Sequence, residues 1–105
     1  MTASNWREDE YENAPPLRAA RDRIQALQRS GADRAELNRL VTGVSVRMND
    51  LAGARSVLRD LERSPRLSYS VQNVVQRWGA GRPATVEAAR SAALARYNRL
   101  RRERI

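Results

Sequence analysis

The sequence predicts an all-α fold: an antiparallel helical hairpin with a long second helix, followed by a short third helix and a basic C-terminal helix. Three observations carry this. Apolar residues recur at steps of three, four and seven along most of the chain, the period of an amphipathic helix. Helix-stopping groups separate these segments: Ser30-Gly31, Ser64-Pro65 and Gly79-Ala80-Gly81-Arg82-Pro83. No apolar–polar alternation is long enough for a trustworthy strand.

The first helix is expected over about 16–30. Pro15 and Pro16 suit a helix entrance, where a missing N–H costs nothing. Leu17, Ala20, Ile24 and Leu27 then share one face, and Gly31 is placed to take a left-handed cap. Asp33 and Glu36 stand at capping-box spacing, so the second helix begins near 34 after a turn short enough to make the pair antiparallel. It is expected over 34–63. Leu37, Val44, Leu51 and Leu58 fall seven apart, and Leu40, Val41, Met48, Ala54 and Leu61 fill the same face. Such a helix is ~45 Å long. The series predicts continuity through Gly43 and Gly53, which would permit close helix approach; a break at Gly53 is the alternative. The third helix, about 69–78, has Ser68 or Ser70 as cap and an apolar edge of Val71, Val74, Val75 and Trp78. The fourth, about 85–103, puts Val86, Ala89, Ala93, Tyr97 and Leu100 on one face.

Residues 1–15 read as an acidic flexible arm and 16–105 as a single helical domain. A 15-residue first helix covers at most half of the long helix's apolar face. That shortfall predicts a homodimeric four-helix bundle with Leu37, Val44, Met48, Leu51 and Leu58 in the interface. An intramolecular bundle in which the third and fourth helices supply the cover is the alternative.

All 20 basic residues are arginine, against 12 acidic ones, for a net charge of +8 in 105 residues. Codon bias, from a GC-rich genome or an overlapping reading frame, is one origin for the absence of lysine. The charge itself points to a polyanion partner, and the guanidinium fork matches phosphate oxygens. Residues 1–14 net −3, with Glu8, Asp9, Glu10 and Glu12 against Arg7, whereas residues 66–105 net +7, with nine arginines against Glu87 and Glu103. The acidic arm is expected either to fold back on the basic surface or to bind a protein partner.

With no Cys and no His, disulfides, a Cys-based zinc site, a thiol nucleophile and the commonest general base are excluded. Asp50, Asp60 and Glu62 would hold a metal only with help from another chain. No nucleophile elbow or phosphate-binding glycine loop occurs, so neither an enzyme nor a cofactor is expected. No apolar run approaches a membrane span, and the acidic start is unlike a signal peptide, so a soluble cytoplasmic protein is expected.

Arg55, Arg59 and Arg63, spaced by four, form a stripe beside the apolar face of the second helix. Arg18, Arg21, Gln25 and Arg29 line one flank of the first. Both rows are candidates for contact with successive phosphates; a solvated face with local ion pairs, such as Asp22 with Arg18, is the alternative. The turn around Pro83 is too long for a helix-turn-helix. Aromatic residues are too few for base stacking to dominate, which leaves shape-and-charge recognition of a duplex.

The long basic helix after a shorter antiparallel one, with Asp22-Arg23-Ile24-Gln25 in the first and Leu61-Glu62-Arg63-Ser64-Pro65 closing the second, resembles the nodavirus-type suppressors of RNA silencing over about residues 16–80. Arg55 stands eight residues before Arg63, where that family carries an RNA-contacting arginine. Departures are the lack of lysine in the second helix, with Val44 and Met48 at stretches where a basic contact is expected, and a more arginine-rich C-terminal helix. The resemblance implies a viral homodimer that lies along double-stranded RNA in the host cytoplasm. It would bind without regard to sequence and shield the duplex from dicing. A phage-type DNA-packaging small subunit and a protein-binding inhibitor are the alternatives.

Overall fold

The computed structural model describes residues 5–31 and 33–105. Four helices follow a single 3-10 turn at Tyr11–Asn13: α1 Pro15–Ser30, α2 Arg34–Arg63, α3 Tyr69–Arg77 and α4 Val86–Leu100. Each boundary has a local cause. Gly31 takes φ 69° and its N–H reaches Leu27 O, closing α1. Asp33 accepts from the Glu36 N–H at 3.0 Å. Glu36 forms an ion pair with Arg23 of α1 at 2.9 Å, so its side chain staples α1 to α2. Ser68 and Thr85 cap α3 and α4 by accepting from the N–H groups of Val71 and Ala88. α2 runs unbroken through both glycines.

α4 is shorter than expected, ending at Leu100 rather than 103. The cause lies on α2. The Arg47 guanidinium donates to Leu100 O at 2.7 Å, to Glu103 O and to Arg104 O at 3.3 Å. Leu100 O is at the end of α4 and the other two carbonyls lie beyond it; one arginine fork collects all three. The C-terminal segment is thereby held on α2, and Ile105 packs where Gly43 leaves room: a Cβ on Gly43 would lie 2.6 Å from Ile105 Cγ2. The close approach at Gly43 is thus to the C-terminal residue, and at Gly53 nothing comes within 4 Å of a Cβ. Gly53→Ala should therefore stabilise the protein by about 1 kcal/mol through helix propensity. Gly43→Ala should forfeit that gain to its clash. Thermal melts of the two variants are the check.

α2 is the spine of a body measuring 52 × 26 × 20 Å. α1 lies along its N-terminal part, where Ala20, Leu27 and Leu40 are buried together. α4 covers its C-terminal part in the most extensive helix–helix contact. There Leu51, Ala54, Val57, Leu58 and Leu61 meet Ala89, Ala93, Tyr97 and Leu100, with Val71 and Val75 of α3 closing the end. The small alanines of α4 let the two axes come close.

This placement changes two expectations. Leu51 and Leu58, assigned to a dimer interface, are 0% and 1% exposed within a single chain. Leu37, Val44 and Met48 are half-buried against the chain's own two apolar clusters. The cover that one 15-residue helix cannot supply comes from α4. The acidic stretch also departs from a flexible arm over residues 5–14. Trp6 is buried in the main core cluster beside Leu17, Val57 and Leu61, and Ala14 is buried at the start of α1. An aromatic side chain with a place in the core outweighs the local preference of an acidic segment for solvent.

Candidate nucleic-acid interface

Side chains at i, i+4 and i+8 lean about 40° further round the helix at each step, because four residues exceed one 3.6-residue turn. The row of Arg55, Arg59 and Arg63 divides for this reason. Arg55 is half-buried, with its guanidinium 5.0 Å from the centre of the Tyr11 ring. Its Nε is buried without a hydrogen bond. Arg59 and Arg63 turn outward and are exposed. They line an open groove of about 480 Å³ with Trp6, Arg7, Arg55 and Glu62, and Glu62 is taken up in an ion pair with Arg7. Four guanidiniums thus share this groove with one carboxylate.

The row on α1 divides in the same way. Arg18, Gln25 and Arg29 are exposed. Arg21 is half-buried and acts as a brace, its Nη1 donating to Glu12 O and its Nη2 lying 3.8 Å from Met48 Sδ. Asp22 makes no ion pair with Arg18 among the described residues. Arg21 and Arg55 meet consecutive arm residues, Glu12 and Tyr11. Both rows therefore border the arm, one at Arg21 and the other at Arg55. None of the six arginines in the two rows pairs with a carboxylate among the described residues, and of the six Arg18, Arg29, Arg59 and Arg63 are the exposed ones.

The arm is fastened by groups that sequence spacing does not connect. Tyr97, fully buried, donates its hydroxyl to Asp9 Oδ2. The Arg101 guanidinium holds the same carboxylate, with Nε 2.7 Å from Oδ2 and Nη2 3.2 Å from Oδ1. Burial, reinforced by the bond to Asp9, raises the Tyr97 pKa far above its ordinary 10.0. The folded protein then holds this proton more tightly than the unfolded chain does. Stability from this group is complete below pH 10.0 and is lost as the pH rises above it. Urea titrations at about pH 9 and about pH 11 should show that loss in the wild type and a smaller one in Tyr97→Phe.

Comparison with protein-family models, with curated proteins and with solved structures finds no match to this chain.

Proposed function

We propose that this protein binds the phosphate backbone of a nucleic-acid duplex as a sequence-indifferent helical module, with double-stranded RNA as its preferred ligand. The supporting observation is the set of exposed arginines Arg18, Arg29, Arg59 and Arg63, which pair with no carboxylate among the described residues. Guanidiniums without carboxylate partners attract phosphate and carry no base-reading information. The 2′-hydroxyls and A-form groove of RNA offer contacts that B-form DNA lacks. On this reading a single chain is the binding unit, since Leu51 and Leu58 of the expected dimer face are buried within one chain. Shielding duplex RNA from a dicing nuclease is the role that fits such binding.

Anisotropy titrations with labelled duplexes of about 20 base pairs test this, a length above the ~15 that a 52 Å body spans at the ~3.4 Å per step of B-form DNA. Four phosphate contacts predict a slope of log affinity on log salt near −3.6. Arg59→Gln with Arg63→Gln should reduce that slope by about 2, similarly on every duplex sequence. Arg55→Gln should act mainly by loosening the arm. A slope near zero, or wild-type affinity when all four outward arginines are replaced, would refute the proposal. Equal or tighter binding to duplex DNA would move the assignment to the DNA-packaging alternative.

A further inference from the structure

The flank of α1 opposite Arg21 carries a second concave surface. Two adjoining hollows of about 290 and 470 Å³ share Pro16, Ala19 and Arg104. Their floor is apolar, made by Pro15, Pro16, Ala19, Leu40 and Ile105. Two devices already described shape it: Arg47 holds the C-terminal segment on α2, and Gly43 admits Ile105. The rim is cationic. Arg23 and Arg101 are committed to Glu36 and Asp9. Arg39, Arg102 and Arg104 are exposed and make no ion pair among the described residues.

We infer that this groove docks an acidic peptide segment of a partner protein, one that presents apolar side chains to the floor and carboxylates to Arg39, Arg102 and Arg104. Each part of the surface selects for this chemistry. Forked guanidiniums pair with carboxylates in two parallel hydrogen bonds. The apolar floor takes aliphatic side chains, which a sugar–phosphate backbone does not offer. The floor is concave, whereas insertion into a lipid surface calls for protruding apolar groups. A second copy of the chain is a poor occupant, because its most acidic segment is held on its own body by the Asp9 carboxylate and the Glu12 backbone carbonyl. The groove and the proposed duplex face lie on opposite flanks of α1, so the two surfaces work independently.

The probe is a fluorescein-labelled peptide of sequence DELLDELLDELL, titrated by anisotropy against the full chain. Three further ligands accompany it: the same peptide with serine for leucine, the same peptide with lysine for the acidic residues, and phosphatidylserine vesicles. Binding should require both leucine and acid. Arg39→Gln combined with Arg104→Gln should weaken it at least about tenfold. Ala19→Trp, an exposed helix position with no packing role, should block it by filling the floor while circular dichroism stays unchanged. Arg59→Gln with Arg63→Gln should leave it unaltered. Absence of binding, equal binding by the serine peptide, or insensitivity to Ala19→Trp would overturn the assignment. Vesicle binding that Ala19→Trp abolishes while the peptide fails to bind would replace it with a lipid surface.

Discussion

Trp6→Ala should lower the unfolding free energy by about 3 kcal/mol, the usual cost of truncating a buried tryptophan. The side chain is 5% exposed and belongs to the main core cluster, although it stands only six residues into an acidic stretch. Its loss removes apolar burial from the C-terminal half of α2 and releases the strap that runs past Tyr11. Arg55 would then lose its ring, and the ion pairs of Arg7 with Glu62 and of Arg101 with Asp9 would become solvent-screened and weak. Urea unfolding followed by circular dichroism gives the free energy, and Trp6 fluorescence, read in a Trp78→Phe background, gives its environment. A change below about 0.5 kcal/mol, the range of ordinary surface substitutions, would mean that the arm is free in solution.

Leu51→Glu should abolish the folded state altogether. Leu51 is fully buried in the cluster formed with α4, with Leu58 one helical repeat away. A carboxylate there is taken out of water into an apolar cluster, which costs several kcal/mol, a large part of the stability of a domain this size. The outcome separates two architectures. If Leu51 sealed a two-fold interface, the variant would dissociate into folded monomers. If it lies in the core of one chain, helicity itself should collapse. Light scattering and far-ultraviolet circular dichroism on the same sample decide, and a helical monomer of native stability would refute the placement.

Helix ends were legible because their causes are local. Gly31, Asp33, Ser64-Pro65, Ser68 and Thr85 act on groups three or four residues away, within the reach of a sequence pattern. The failure at the end of α4 fits the same rule, since the group that gathers its last carbonyls, Arg47, lies 53 residues from Leu100. The candidate site was half legible. Helical spacing placed Arg55, Arg59 and Arg63 in one row and Arg18, Arg21 and Arg29 in another. It could not tell that Arg55 and Arg21 are engaged by Tyr11 and Glu12.

What the sequence by itself determined is the all-α class, the four helices, the length of α2 and the large positive charge, because periodicity, caps and composition are properties of neighbouring residues. Tertiary structure alone decided what covers α2 and what each arginine does. A guanidinium that clamps carbonyls, as Arg47 does, one that lies on a ring, as Arg55 does, and one exposed to solvent, as Arg59 is, have the same charge and the same helical spacing. They differ only in the group that folding brings beside them. For the arm that group is a tyrosine 88 residues away, which the chain meets only once α4 has been laid on α2.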